Sequence, residues 1–195
     1  MGGGGRRGPR KAPPMNAELA CTLEELFTGS TRKMKISRTV SDAAGRPRAA
    51  PEMLQIDVKP GWKKGTKITF QEKGDEAPGQ IPADITFTIA EKPHPRFRRE
   101  GNDLHYTATV PLADALTGCV VNLTTLDDRS LSVPVSNVVS PDSVKVVRGE
   151  GMPIAKTPQV RGDLRIGFKV QFPKQLTEQQ KEGVRALLGA GRGGQ

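Results

Sequence analysis

The sequence is poor in the residue types on which most catalytic and metal sites depend. It has two histidines and two cysteines among 195 residues, and aromatic residues make up 4% of the chain. Cys21 and Cys119 form no Cys-x-x-Cys pair, and neither His94 nor His105 lies in a cluster with ligand spacing, so we expect no metal and no cofactor. Motifs for nucleophilic serine, phosphate or dinucleotide sites are also missing. The sequence therefore predicts a protein that is not an enzyme and has no catalytic residues.

Long apolar runs are missing as well. No window approaches the roughly 20 apolar residues of a membrane helix, and the chain starts with glycine and arginine instead of the apolar core of a secretory signal. The two cysteines lie far apart, which favours a reducing compartment over a disulfide-bonded one. We therefore expect a cytosolic protein without a membrane partner.

The charge is strongly positive. Thirty basic and 21 acidic residues give a formal net charge of +9, which favours acidic partners such as nucleic acid, anionic lipid or an acidic peptide. The first 14 residues are nearly devoid of apolar side chains, and they fit either a nucleic-acid-binding arm or a solvated linker. We favour the linker because the arm has no aromatic residue for base stacking. Residues 1–16 are predicted to be disordered.

Most of the remaining chain alternates apolar and polar residues, which is the period of a β-strand. Met34 and Ile36 alternate with lysines, and similar runs cover residues 54–58, 67–70, 85–89, 104–110 and 164–172. Turn residues separate these runs. The pattern predicts an antiparallel, all-β (mainly β) protein in which each sheet buries one face.

The chain also repeats itself. Two short helical turns that end in glycine, residues 23–29 and 112–118, are each followed by a strand, and further landmarks recur in the same order. We predict two tandem homologous β subdomains, residues 17–100 and 101–173. A helix follows in residues 174–189, and residues 190–195 form a frayed tail.

The C-terminal helix has its own start signal. Thr177 and Gln180 have the spacing of a capping box, and three apolar residues recur at helical spacing: Val184, Leu187 and Leu188. A helix of about three turns is marginal alone in water. It must therefore pack on its own domain or on another copy of the chain.

One strand offers a candidate binding surface. Met34 and Ile36 share a side with Arg32, while Lys33 and Lys35 point the opposite way. The two apolar side chains form either part of the core, which composition alone favours, or the floor of a shallow groove edged by cations.

Several motifs resemble one known family. The motif Lys-Pro-Gly-Trp-Lys-Lys-Gly-Thr at residues 59–66 is the most distinctive, and eight others occur in register: 23–29, 74–76, 93–97, 101–104, 115–118, 149–153, 161–164 and 172–173. Together they resemble the C-terminal substrate-binding region of DnaJ-type (heat-shock protein 40) co-chaperones over residues 19–188. The absence of Cys-x-x-Cys-x-Gly-x-Gly repeats indicates the class without a zinc-finger insert. No J-domain is recognisable, because His94-Pro95-Arg96 is not its His-Pro-Asp loop.

The resemblance implies a fold, a function and site residues. The expected fold is two β-sandwich-like subdomains followed by a helix that pairs two protomers into a homodimer. The expected function is to bind unfolded clients, to prevent their aggregation and to hand them to a DnaK-type (heat-shock protein 70) chaperone. The apolar lining of the client groove would be Ala17, Leu19, Met34, Ile36 and Phe97.

The same resemblance implies an acidic-tail site. Arg32, Lys35 and Arg98 match cations that bind the acidic C-terminal tail of the heat-shock protein 70 partner in this class. Met53 stands where some relatives have a further basic residue, which weakens that expectation. Two alternatives remain open: a structural subunit of a stable assembly such as a ciliary radial spoke, and a nucleic-acid-binding protein.

Overall fold

The computed structural model describes residues 9–189, so the predictions for residues 1–8 and 190–195 lie outside the described residues. The fold is mainly β, as predicted, with three short helices: α1 (Leu23–Thr28), α2 (Leu112–Thr117) and α3 (Glu178–Gly189). The first seven strands are β1 (Arg10–Lys11), β2 (Met15–Cys21), β3 (Ser30–Ser41), β4 (Pro47–Val58), β5 (Lys67–Phe70), β6 (Gln80–Ile81) and β7 (Ile85–Glu91). The other eight are β8 (Phe97–Glu100), β9 (Asp103–Pro111), β10 (Cys119–Thr124), β11 (Ser130–Val135), β12 (Val144–Val147), β13 (Pro153–Ile154), β14 (Thr157–Arg161) and β15 (Leu164–Gln171).

The two halves of the chain share one topology. In the first half β2 leads through α1 into the hairpin β3–β4, and β7 returns beside β2. In the second half β9 leads through α2 into the hairpin β10–β11, and β15 returns beside β9. Both short helices end at a glycine, Gly29 and Gly118, as predicted. The internal repeat read from the sequence therefore has a counterpart in the order and pairing of the strands.

The prediction of antiparallel sheets is wrong for the central strand pairs. Strand β2 pairs with β7 in parallel, and β9 pairs with β15 in parallel. The remaining long pairs, such as β3–β4 and β10–β11, are antiparallel. Alternation of apolar residues reports which face of a strand is buried, and it carries no information about the direction of the neighbouring strand.

Strand β8 lies just before the predicted boundary between the halves but pairs with a strand of the second half. Phe97 pairs with Tyr106 and Arg98 with His105, so β8 forms the edge of the second four-stranded sheet, in the order β12-β15-β9-β8. The prediction had placed residues 97–100 in the first subdomain. A two-residue turn links Glu100 to Asp103, and this short connection makes β8 and β9 a hairpin.

The N-terminal segment is more ordered than predicted. Arg10 and Lys11 pair in parallel with Gln80 and Ile81, and the Lys11 ammonium lies 2.8 Å from an Asp84 carboxylate oxygen. Strand β2 already begins at Met15. Disorder is therefore wrong for this part of residues 1–16, because backbone pairing and one ion pair hold a segment that has little apolar content of its own.

The two halves contact each other through polar and aromatic groups. The Arg161 guanidinium lies 4.7 Å from the centroid of the Phe27 ring, within the range of a cation–π interaction. Gly61 has a φ of 85°, and a Cβ atom there would lie 2.5 Å from the carbonyl oxygen of Pro153. Only glycine fits this contact. The 59–66 motif thus serves as scaffold, and Trp62 packs against the core.

Helix α3 begins as predicted. The Gln180 backbone N–H donates to Thr177 Oγ1 at 3.2 Å, and the Thr177 backbone N–H donates to Gln180 Oε1 at 2.9 Å. This is the reciprocal capping box. The helix has no buried residue in the described chain. Its apolar side chains therefore remain available for a larger contact than the protomer provides.

Candidate functional site

A cavity of about 290 Å³ opens between β2 and β3 in the first half. Four of the residues that line it are apolar: Ala17 from β2, Met34 and Ile36 from β3, and Phe87 from β7. Phe87 is buried and lies opposite Ala17 in the parallel pair β2–β7. Because Ala17 is small, the floor beside Phe87 stays open. We call this cavity the first-half groove.

The strand edges beside the first-half groove carry backbone groups that can pair with a peptide. Near the end of β3, the Thr39 backbone N–H donates to Asp75 Oδ1 at 2.6 Å, and the Thr39 carbonyl accepts from the Glu76 N–H at 2.8 Å. Alternate residues of a strand direct their backbone groups to the same edge, so those of Ser37 and Lys35 face this edge too. Within residues 9–189 they have no backbone partner there.

The rim of the groove is cationic. Arg38 lies 3.1 Å from Glu52 and 3.6 Å from Glu76, and Lys73 also pairs with Glu52. Hydrogen bonding to Lys73, reinforced by Arg38, lowers the pKa of Glu52. The third rim cation, Lys35, is exposed and forms no ion pair with any carboxylate of the described chain. Lys35 is therefore the cation whose charge remains available to a ligand.

The structure brings together only part of the predicted peptide-binding set. Ala17, Met34 and Ile36 line the first-half groove, whereas Leu19 is buried in the core with 2% of its surface exposed. Phe97 is absent from the groove and packs in the second half, with its ring centroid 5.6 Å from that of Tyr106. Phe87 takes the place that the sequence had assigned to Phe97.

The three predicted acidic-tail cations are also separated. Arg32 donates to Glu25, and Glu25 in turn accepts from the Thr22 backbone N–H at 2.9 Å. Although partial burial of Glu25 opposes its ionisation, these two hydrogen bonds keep its pKa below the usual value. Arg98 lies on β8 in the second half, away from the groove. Of the three residues, Lys35 alone lines the first-half groove.

Sequence reasoning missed nine further lining residues, among them Met15, Arg38, Lys73 and Phe87. Phe87 had been read only as one member of an alternating strand. Its position opposite Ala17 depends on the parallel pairing of β2 with β7. Lys73 lies far along the chain from β3 and approaches it only through the loop after β5. A pattern within one strand cannot reveal either neighbour.

The second half has no open equivalent of this groove, because β8 covers the corresponding place. Tyr106 stands where the first half has Ala17, since each lies six residues before the first residue of the short helix and each pairs with the returning strand. Strand β8 pairs with β9 beside Tyr106, and Arg96 donates to the Thr124 carbonyl on β10 at 3.1 Å. Phe97 is 4% exposed. The chain thus has one open groove of this kind among residues 9–189.

The predicted dimerisation residues lie on two different sides of helix α3. Val184 and Leu188 border an apolar cavity of about 570 Å³, together with residues of α2 and the segment after β15. Leu187 lies outside that cavity and is 82% exposed. The helix therefore contacts its own subdomain on one side and presents Leu187 to the surroundings on the other.

Within residues 9–189, no helix has the length and apolar character needed to cross a membrane. The same residues contain no group of three or more His, Cys, Asp or Glu side chains that could hold a metal ion. Cys21 and Cys119 are both free thiols.

Comparison with known proteins gives a consistent result. The family model described as "DnaJ C terminal domain" matches residues 15–173. The chain is 47% identical over 185 residues to human "DnaJ homolog subfamily B member 13", covering 94% of this chain and 58% of that protein. It is 46% identical over 189 residues to human "DnaJ homolog subfamily B member 5", covering 90% and 54%. It is 37% identical over 174 residues to "Protein SIS1" of Saccharomyces cerevisiae, covering 87% and 47%. The chain spans about half the length of the curated relatives it matches.

Proposed function

The chain belongs to the DnaJ C-terminal domain family, in the class that lacks a zinc-finger insert, and from this premise we propose that it is the client-binding part of a co-chaperone. It binds non-native polypeptides in the first-half groove, keeps them from aggregating and passes them to a DnaK-type (heat-shock protein 70) chaperone in the cytosol. The observation that carries this proposal is the open apolar groove beside an unpaired strand edge.

The groove suits sequence-tolerant recognition. A client in extended conformation adds its backbone hydrogen bonds to a strand edge, and every second side chain enters the groove. Backbone bonding does not depend on client sequence. Met34 adds an unbranched, polarisable side chain that adapts to different apolar groups. Such a site accepts many unfolded chains and rejects folded ones, whose backbones are already paired.

The cationic rim supports a second ligand at the same groove, the acidic C-terminal tail of the partner chaperone. Lys35 has no competing carboxylate in the described chain, whereas Arg32 is engaged by Glu25. Exposed ion pairs contribute about 0–1 kcal/mol each and weaken with salt. We therefore expect weak, salt-sensitive tail binding that depends on Lys35 and permits rapid release.

We also propose that the protein is a homodimer joined through α3. Leu187 is among the most exposed large apolar side chains of the described chain, and a short helix with such residues gains stability by packing on a partner. Two grooves on one dimer increase the affinity for a long client without new contacts, because the second binding event becomes intramolecular. The structural-subunit and nucleic-acid alternatives gain no specific support from the fold or from the relatives.

The test is suppression of aggregation of a chemically denatured model protein by the chain and by two methionine variants. Met34→Asp places a charge on the groove floor, and we expect it to abolish protection. Met53→Asp is the matched control, because Met53 is 57% exposed and pairs with Lys35 from β4 without lining the groove. Circular dichroism checks that both variants remain folded. Normal protection by folded Met34→Asp would contradict the proposal.

A further inference from the structure

A second cavity lies on the outer face of the second-half sheet, far from the first-half groove in sequence and in lining. It has a volume of about 580 Å³ and extends from the segment before β8 across β9 and β15 to β12. Nothing in the proposed client function uses this face. It contains Arg98, the predicted acidic-tail residue that the fold removed from the first-half groove.

Four side chains form a row across this sheet. Val146 on β12 pairs in register with Arg165 on β15, Arg165 with His105 on β9, and His105 with Arg98 on β8. Residues that pair in register direct their side chains to the same face. The row therefore presents two guanidinium groups, one on each side of a histidine, and one aliphatic end.

The guanidinium groups of this row keep donors free for a ligand. Arg165 uses its Nε to donate to Asp103 Oδ2 at 2.9 Å, and its two terminal nitrogens have no partner in the described chain. Arg98 has only a 3.7 Å contact with Glu100, and 76% of its side chain is exposed. Glu100 also accepts from His105 at 3.0 Å. These two carboxylates, Asp103 and Glu100, are the acidic groups that face the row, and each already has its own partner.

The floor beside the row is aliphatic and indented. Gly167 lies in register between Val144 on β12 and Thr107 on β9. A Cβ atom at Gly167 would meet only one atom, the Tyr106 carbonyl oxygen at 4.0 Å, so the absent side chain leaves open space. Val144 and Val146 are 58% and 41% exposed beside it. The indentation can accept one small aliphatic side chain.

We propose that this face is a second peptide-binding site, selective for an extended acidic segment that carries aliphatic residues between its carboxylates. Arg98 and Arg165 lie two strands apart, about 10 Å, and carboxylates four residues apart in an extended chain face the same side at about 13 Å, a span that the two long arginine side chains can bridge. Each guanidinium can bind a carboxylate with two parallel hydrogen bonds. The aliphatic residue midway between these carboxylates faces the sheet beside His105 and packs into the indentation at Gly167, the diagonal neighbour of His105.

The chemistry of the floor favours peptide over single-stranded nucleic acid. Nucleic-acid platforms combine cations with exposed aromatic rings on which bases stack. The rings nearest this cavity, Phe97 and Tyr106, pack against each other with centroids 5.6 Å apart. Phe97 is 4% exposed, and the most exposed apolar part of the floor is Val144 and Val146 beside the Gly167 indentation, which fit an aliphatic side chain.

The test uses the whole chain with Met34→Asp already in place, so that the first-half groove does not contribute. The probe is the peptide acetyl-Gly-Glu-Ser-Val-Ser-Glu-Gly-amide, in which both glutamates and the valine share one face of an extended chain, and its affinity is measured by calorimetry at low ionic strength. We expect Arg98→Gln and Arg165→Gln each to weaken binding about tenfold, and Gly167→Val to weaken it at least as much by filling the indentation. Gly167→Val should fold well because open space surrounds its Cβ position.

Two controls make the result decisive. Lys169→Gln removes an exposed cation from the same strand outside the cavity, and it should change affinity less than twofold. The peptide with both glutamates replaced by glutamine should bind at least tenfold more weakly. Three outcomes overturn the proposal: unchanged affinity in Arg98→Gln and Gly167→Val, an equal loss in Lys169→Gln, or tighter Arg98-dependent binding of an RNA oligonucleotide than of the peptide. None of these outcomes bears on client protection, which is measured on chains that keep Arg98, Arg165 and Gly167.

Discussion

The Arg99 guanidinium donates a hydrogen bond of 2.7 Å to the carbonyl oxygen of Trp62, and this contact joins β8 of the second sheet to the 59–66 loop of the first half. Arg99 also donates to the Gly61 carbonyl at 3.1 Å and lies 3.5 Å from Glu91. Only 3% of the side chain is exposed. One buried cation therefore satisfies two loop carbonyls and one carboxylate at the contact between the halves.

This contact predicts a large stability loss in Arg99→Met. The variant keeps an unbranched side chain and leaves Glu91 and three carbonyls, those of Gly61, Trp62 and Gly101, without their partner, which we expect to lower the free energy of unfolding by about 3 kcal/mol. Urea denaturation measures the change. Arg98→Met, one residue away and exposed, is the control and should change it by less than about 0.5 kcal/mol. Equal effects of the two substitutions would show that Arg99 does not join the halves.

Asp103 predicts an acid dependence of stability. The Asp163 backbone N–H and then the Arg165 guanidinium bind its carboxylate, and both lower the pKa of Asp103 in the folded protein. A lowered folded pKa stabilises the fold above the unfolded pKa of about 3.9, and that stabilisation is lost as the pH falls through the folded pKa. The difference in unfolding free energy between the unmodified chain and Asp103→Asn should therefore be largest at pH 5–7.

The measurement is denaturant unfolding of both chains between pH 7 and pH 3. The difference should shrink steadily below about pH 4, as the native carboxylate becomes protonated and the two chains become alike. Asp142→Asn, at an exposed position, serves as the reference for a general effect of losing one carboxylate. A difference that stays constant with pH would mean that ionised Asp103 does not stabilise the fold.

From the exposed Leu187 of helix α3 we predict a dimer that can dissociate. Leu187→Asp places a charge at the most exposed apolar position of the helix, and we expect the dimer dissociation constant to rise at least tenfold. Sedimentation velocity across a range of protein concentrations measures it. Gln179→Asp adds the same charge in the first turn of the helix and should leave the association unchanged. If the unmodified chain sediments as a monomer at all concentrations, the dimer proposal is wrong.

A larger side chain at position 17 is predicted to close the groove without disturbing the core. Ala17→Tyr copies the residue that the second half has at the equivalent position, and its ring should occupy the space beside Phe87. We expect at least a tenfold loss of affinity for an extended apolar peptide, measured by calorimetry, with little change in stability because the position is exposed. Gln55→Tyr on the exposed face of β4 is the control. Undiminished affinity in Ala17→Tyr would place the bound peptide elsewhere.

How far the sequence predicts this protein can be judged from particular residues. Met34 and Ile36 were assigned to one face of a strand, and Thr177 and Gln180 to a helix start, because those inferences need only local spacing. Phe97 was expected in the groove and instead packs against Tyr106 in the second half, since the motif that contains it gives no indication of which sheet β8 joins. Phe87 was overlooked because its place in the groove depends on the parallel pairing of distant strands.

Family motifs and local patterns therefore supply different information. The motifs between residues 23 and 173 predicted the family, and the family match over residues 15–173 confirms it. They did not separate the cations of one site from those of another: Arg32 is engaged by Glu25, Lys35 lines the groove and Arg98 lies on the other sheet. Only the three-dimensional arrangement of charges distinguishes these roles.

The most direct test of the central claim uses the methionine methyl groups as reporters in the unmodified protein. With methyl-labelled methionine, an extended apolar client peptide is titrated and the NMR signals of Met34, in the groove, and Met53, on the opposite exposed face, are followed. The account predicts that the Met34 signal shifts saturably, together with that of Met15, while the Met53 signal stays in place. A saturable shift of Met53 with no change at Met34 would contradict it.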